Sequence, residues 1–149
     1  MINDDLKLRG DVAIVLKDKD GNVKDSREIN NLVVSAGLTY ICSRMEGTSA
    51  GVMSHMALGS DTTAAAAGDT DLGSILGSRE ALDSTTASSN TITYVSSFEA
   101  GEGTGAVTEA GIFNASSSGT MLCRTVFAVV NKQADDTMSV TWTITLTAS

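Results

Sequence analysis

Residues 138–147 read Met-Ser-Val-Thr-Trp-Thr-Ile-Thr-Leu-Thr. Met138, Val140, Trp142, Ile144 and Leu146 fall on one parity, and Ser139, Thr141, Thr143, Thr145 and Thr147 on the other. Successive side chains of a strand point to opposite faces, so this run specifies a strand with one apolar face and one hydroxyl-lined face. A helix, turning 100° per residue, would mix the two sets. The strand carries the only tryptophan and runs almost to the last residue, which predicts a C-terminus tied into the core. Such a strand belongs in an antiparallel sheet packed on one face, and it suggests a structural part before a catalyst.

Strand patterns recur upstream. Leu8 to Leu16 reads as a first strand, Asp18-Lys19-Asp20-Gly21-Asn22 as a turn of residues that tolerate left-handed backbone, and Val23 to Ile29 as the returning partner. Between Leu32 and Met45 the period changes. Leu38, Ile41, Cys42 and Met45 are spaced i, i+3, i+4, i+7, and Ser35 stands in the N-cap position, predicting an amphipathic helix near 35–46 with those four residues facing inward.

Met53 to Leu58 reads as a short strand, Ser60 to Gly68 as an exposed loop, and Asp69 to Leu76 as one or two helical turns with Leu72, Ile75 and Leu76 inward. Arg79 to Leu82, Thr91 to Phe98, Thr108 to Asn114, Met121 to Val130 and Thr137 to Thr147 complete the strands, with turn-rich Ser84 to Asn90, Gly101 to Gly105, Ser116 to Gly119 and Lys132 to Asp136 between them. Strands that do not alternate with helices exclude a parallel α/β sheet. The expectation is a mainly all-β fold, an antiparallel β-sandwich of jelly-roll or Greek-key type with one amphipathic helix. Residues 1–9 form an N-terminal arm and 10–149 a single domain. Proline is absent from the chain, so edge strands need other protection, such as pairing with a second subunit.

A chain of 149 residues with 42% hydrophobic and 19% charged residues has the composition of one globular domain, rich in Ser, Thr, Ala and Gly. Ten basic against eighteen acidic residues leave a net charge of −8, which disfavours direct binding to nucleic acid. No apolar run reaches the length of a membrane helix. Met1-Ile2-Asn3-Asp4-Asp5 lacks the basic and apolar regions of a signal peptide, so synthesis in a reducing cytosol is expected, with Cys42 and Cys123 as buried free thiols.

Motifs that could carry chemistry fail on their context. Gly47-Thr48-Ser49-Ala50-Gly51 has the letters of a nucleophile elbow, but that turn needs a strand before it and a helix after, and here the order is reversed. His55 is the sole histidine, and a metal site needs several N, S or O ligands. Asp18, Asp20 and Gly21 suggest a calcium loop, yet aligning Gly21 to the obligatory glycine puts Leu16 and Arg27 where ligands belong. Gly101-Glu102-Gly103-Thr104-Gly105 has no lysine and opens no helix, so it reads as a mobile hairpin loop rather than a phosphate cradle. Glu99, Glu102 and Glu109 offer paired carboxylates, but an aromatic content of 4% is poor for a sugar-stacking cleft, and a solvated acidic edge is the reading preferred. Asn114-Ala115-Ser116 has glycosylation letters that mean nothing without secretion. No catalytic, cofactor-binding or metal-binding residue is assigned, and no cofactor is expected.

Gly10-Asp11-Val12 through Asn22-Val23, with Asn30-Asn31-Leu32-Val33-Val34-Ser35-Ala36-Gly37, resembles the opening of small tailed-bacteriophage virion proteins. So do Met56-Ala57-Leu58-Gly59-Ser60-Asp61-Thr62-Thr63, Gly68-Asp69-Thr70-Asp71-Leu72-Gly73, Glu109-Ala110-Gly111-Ile112-Phe113-Asn114 and Gly119-Thr120-Met121-Leu122-Cys123-Arg124-Thr125-Val126-Phe127. The resemblance implies a non-enzymatic structural protein on the outer surface of the capsid, a cement or decoration protein. It would work as a dimer or trimer, with the major capsid protein as partner. Tail- and fibre-associated proteins that attach to host glycans share similar patterns and form the alternative. Met1 to Arg9, Ser60 to Gly68 and Gly101 to Gly105 are the candidate contacts.

Overall fold

The computed structural model describes residues 5–47 and 51–148. Among these residues the chain forms nine strands and one helix: β1 (Leu6–Lys17), β2 (Val23–Val33), α1 (Ser35–Glu46), β3 (His55–Gly59), β4 (Glu80–Ala81), β5 (Ser84–Ser88), β6 (Thr91–Phe98), β7 (Gly105–Phe113), β8 (Met121–Lys132) and β9 (Thr137–Ala148). Every pairing is antiparallel, in the order β4-β3-β7-β8-β2-β1-β9-β6-β5. The protein is an all-β fold with one helix.

The two leaves of the expected sandwich are parts of one curled sheet, and β2 joins them. Up to Asn31 it pairs with β1, where Gly10 faces Asn31; from Leu32 it pairs with β8, where Leu32 faces Arg124 and Val33 faces Cys123. Gly10 permits this crossing, because a Cβ there would lie 1.3 Å from Oδ1 of Asn31. At the opposite side β4 pairs with β3 and the adjoining β5 with β6. Between them the Leu82 N–H donates to the Ser54 carbonyl at 2.9 Å and the Asp83 N–H to the Val95 carbonyl at 2.7 Å. One segment thus ties both ends of the sheet together.

The core lies between the facing leaves. Met138, Val140, Trp142 and Ile144 of β9 are buried, as their parity demands, and they pack with Val12, Ile14 and Leu16 of β1, Phe98 of β6, and Met56, Leu58, Ile112 and Leu122 of the other leaf. Trp142 is fully buried beside Val12 and Tyr94. Ser139, Thr141, Thr143 and Thr145 point to the outer face and are half-buried.

Several expectations are corrected. Leu6 to Arg9 do not belong to a free arm: they open β1 and pair with Thr145 to Ala148 of β9, because strand hydrogen bonding extends the hairpin to both ends. Residues 1–4 lie outside the described residues. Ser84 to Ser88, expected as turn, is a fully exposed edge strand whose polar composition hid its pairing to β6. Asp69 to Leu76 does not turn helically. The Ser60 N–H donates to the Ser74 carbonyl and the Leu76 N–H to the Leu58 carbonyl, and an Ile75 bridge to Gly59 draws the segment along β3.

Helix α1 occupies its expected range but presents another face. Val34 holds the N-cap position without a side-chain cap, Ser35 is already helical, and the Ser35 N–H donates to the Ala67 carbonyl. Gly37 lies directly on β8, where a Cβ would come 2.1 Å from the Leu122 carbonyl oxygen. That close approach rotates Gly37, Tyr40 and Ile41 toward the sheet and leaves Leu38, Cys42 and Met45 exposed, Met45 to 84%.

Candidate functional site

The densest polar chemistry is structural. Arg124 on β8 is 2% exposed and Glu109 on the neighbouring β7 is fully buried. The Arg124 Nε donates to Glu109 Oε1 at 3.1 Å, Nη1 to Asp69 Oδ2 at 2.9 Å, and Nη2 to Asp61 Oδ2 at 3.4 Å and to the Thr63 carbonyl at 3.1 Å. Glu109 also accepts backbone N–H bonds of 2.9 Å each, from Gly73 on Oε1 and from Asp61 and Ser74 on Oε2. Burial alone would lower the Arg124 pKa, but its bonds to Glu109 and Asp69 outweigh that and hold it raised. Asp61 is held below the ordinary carboxylate range, first by the Thr63 N–H and hydroxyl and then by Arg124.

The consequence is an exposed loop with a fixed floor. Thr62, Thr63 and Ala64 face solvent, while Asp61, Asp69, Gly73 and Ser74 are tied to the buried pair. The loop expected at Ser60 to Gly68 is therefore an anchored platform. Gly101 to Gly105 is anchored as well: the Gly101 N–H donates to the Ala134 carbonyl at 2.8 Å, the Glu102 N–H to the Glu99 carbonyl, and the Glu99 N–H to Glu102 Oε2. Beneath this turn Lys132, 1% exposed, donates Nζ to the Glu99 carbonyl at 2.9 Å, and burial lowers its pKa. Asp136 sits nearby, 2.7 Å from Lys24 Nζ, and that bond with the Gln133 N–H holds its carboxyl low.

Among the described residues, those weighed for catalysis do not assemble. Glu109 is locked inside the ion cluster, so it does not belong to a solvated acidic edge with Glu99 and Glu102. His55 on β3 accepts or donates one bond, Nδ1 to Ser54 Oγ at 2.8 Å, and no carboxylate bonds to it among the described residues. Ser49, at the centre of the elbow letters, lies outside the described residues. Asp18 spends its Oδ1 on the backbone N–H groups of Asp20 and Asn22, which confirms the turn. Asn114 accepts from the Thr120 N–H at 2.7 Å. Cys123 is buried, and burial pushes its thiol pKa up, whereas Cys42 is exposed, contrary to expectation, because the helix turned its other face inward. No cluster of three His, Cys, Asp or Glu side chains suited to a metal occurs among the described residues.

A groove of about 310 Å³ lies over the ion cluster, lined by Asn31, Thr62, Ala64, Ala65 and Arg124, and two others lie away from it. A polar groove of about 460 Å³ on the outer face is lined by Arg9, Asp11, Glu28, Asn30, Thr141 and Thr143. An apolar groove of about 430 Å³ lies between α1 and the β6–β9 leaf. Sequence reading missed the apolar groove, because its walls combine a helix face with strand residues far away in sequence. The class that fold and site define is an all-β protein with one helix and a buried ionic scaffold. Comparison with family models, curated proteins and solved structures finds no match.

Proposed function

We propose that this chain is a non-enzymatic structural protein of a tailed-phage virion, a cement protein that binds across neighbouring major capsid proteins on the outer surface of the expanded head. One observation supports the reading best. Asp61, Asp69, Glu109 and Arg124 come from separate stretches of the sequence resemblance, and they meet in the buried cluster that fixes the platform at Ser60 to Gly68. These four residues hold a rigid presenting surface. A protein that binds only the assembled lattice stabilises that lattice by linkage. Rigid platforms suit this role because little conformational entropy is lost on docking.

The test adds purified protein to undecorated expanded heads and measures bound copies and the temperature of DNA release. Saturable binding with delayed release is expected, and absence of binding would overturn the reading. A truncation through Arg9 would remove strand pairing to β9, so a variant lacking Met1 to Asp5 is the informative one for the arm. The polar outer groove, with Asp, Asn, Arg and Thr side chains suited to hydroxyl groups, favours the tail- or fibre-associated, glycan-binding alternative. A glycan screen with an Asp11→Ala control tests it.

A further inference from the structure

β5 is the last strand of the sheet order and pairs with β6 alone, in unbroken register from Ser84 opposite Val95 to Ser88 opposite Thr91, with every residue exposed. Proteins blunt such edges with charges, proline, bulges or very short strands. The other open borders of this sheet are blunted in that way. β4 is 2 residues long. Where β2 and β8 part, β8 bulges between Val126 and Val130, and Arg27 caps the carbonyls of Ala128 and Val129. β5 has no such device: its sequence, Ser-Thr-Thr-Ala-Ser, holds no charge and no proline, and its ladder no bulge. The direction of its free backbone groups follows from the register. The Leu146 N–H donates to the Asn90 carbonyl, so the even-numbered residues of β6 bond to β9, and Thr91, Thr93 and Val95 bond to β5. Their partners Ser88, Thr86 and Ser84 therefore turn their backbone groups toward β6, and the N–H and C=O groups of Thr85 and Ala87 point off the edge of the sheet.

We propose that β5 is a self-pairing edge that joins two copies of this chain about a two-fold axis through Thr86. In that antiparallel register Thr85 of each copy faces Ala87 of the other, and every free N–H on one edge meets a free C=O on the other. Shifting the register either way leaves part of this set unpaired, so the edge selects one alignment with itself. Charge favours a second copy as the occupant. β5, β6 and β9 contain no Asp, Glu, Lys or Arg, so two molecules of net charge −8 can meet along this leaf without bringing like charges together. Asp83, just before β5, would stand about 20 Å from its counterpart, beyond the Debye length of about 8 Å. The leaf offers a charged partner nothing to pair with, whereas its outer rows of Ser and Thr continue across the axis onto the same rows of the second copy, beginning with Thr86 beside its counterpart. So short an edge buries less than the roughly 1,200–2,000 Å² of stable complexes, so the dimer forms reversibly, with a Kd on the order of 0.1 mM.

The test uses the full-length protein carrying Cys42→Ser, which removes the exposed native thiol. Sedimentation equilibrium should show monomer and dimer in exchange, mostly dimer at about 1 mM and mostly monomer at about 10 μM. Antiparallel partners of the non-hydrogen-bonded kind stand about 4.5 Å apart at Cα, within reach of a disulfide. Thr86→Cys in this background should therefore cross-link under mild oxidation at least about tenfold faster than Ser84→Cys or Ser88→Cys, whose own counterparts would lie about 14 Å away. Ala87→Pro removes an outward N–H without breaking a bond to β6, and it should lower the dimer fraction at about 1 mM at least about fivefold. Circular dichroism establishes whether that variant is folded, and the cysteine comparison decides the matter if it is not. The proposal is overturned if the protein stays monomeric at about 1 mM, which would leave the edge to a strand from another protein, or if it forms a trimer. It is also overturned if the cysteine variants cross-link at equal rates, or if Ala87→Pro folds and still dimerises like the parent. Head binding is measured separately, so this inference and the virion reading fail independently.

Discussion

Glu109→Gln changes one oxygen for an NH₂ group and keeps the side chain's shape. In the native cluster Oε1 accepts from Gly73 N–H and Arg124 Nε, and Oε2 from Asp61 and Ser74 N–H. A glutamine offers one acceptor oxygen, so whichever way it turns, two donors meet an NH₂ and lose their partner. Each buried donor left unpaired costs about 1–3 kcal/mol, giving a loss of about 4 kcal/mol for the pair. Arg124 keeps Asp61 and Asp69, so no further charge is stranded. For a chain of this size about 4 kcal/mol corresponds to a drop of roughly 12 °C in Tm. Urea and thermal denaturation followed by circular dichroism measure the global effect. Hydrogen exchange locates it: the amides of Asp61, Gly73 and Ser74 should lose protection beyond that lost at Trp142. Glu102→Gln serves as control, since among the described residues Glu102 accepts one bond, from the Glu99 N–H in a surface turn, and it should cost less than about 1 kcal/mol. If Glu109→Gln melts within about 3 °C of the unsubstituted protein, Glu109 does not hold the platform and the reasoning from its four donors is refuted.

Trp142→Ala should cost about 3–5 kcal/mol through lost burial and a residual cavity, while Thr143→Ala on the outer face should cost far less; equal melting temperatures would contradict the facing of β9. Asp61, held low by Thr63 and then Arg124, and Asp136, held low by Lys24 and then Gln133, bind fewer protons folded than unfolded, so their contribution is complete above the ordinary value of 3.8 and is lost as pH falls through their depressed folded values. The urea midpoint should fall below about pH 4, and Asp136→Asn should make that fall shallower. His55→Gln and Ser54→Ala should leave head binding unchanged, with only a modest stability loss from the shared hydrogen bond; a hydrolytic activity abolished by either would contradict the non-enzymatic reading. In native protein a thiol reagent should modify Cys42 within minutes and reach Cys123 only on unfolding, as mass mapping of the labelled peptides would show.

The sequence by itself determined the elements whose side chains repeat a local period. The parity of Met138 to Thr147 named both faces of β9, and the Asp18 to Asn22 turn placed β1 beside β2, because both signals are written in neighbouring residues. The helix range was legible for the same reason, but its buried face was not: Leu38, Cys42 and Met45 form the better apolar stripe, and the close approach of Gly37 to Leu122 overrides it. Ser84 to Ser88 has no apolar alternation to betray a strand, since an exposed edge gains its order from the hydrogen bonds of β6. The ion cluster was hidden for a similar reason. Glu109 reads as one acidic residue among several until β7, β8 and the loop before β4 bring Arg124 and the amides of Asp61, Gly73 and Ser74 around it. Local periodicity survives in one dimension, whereas the satisfaction of a buried charge depends on groups that only the folded chain brings within 3 Å or so.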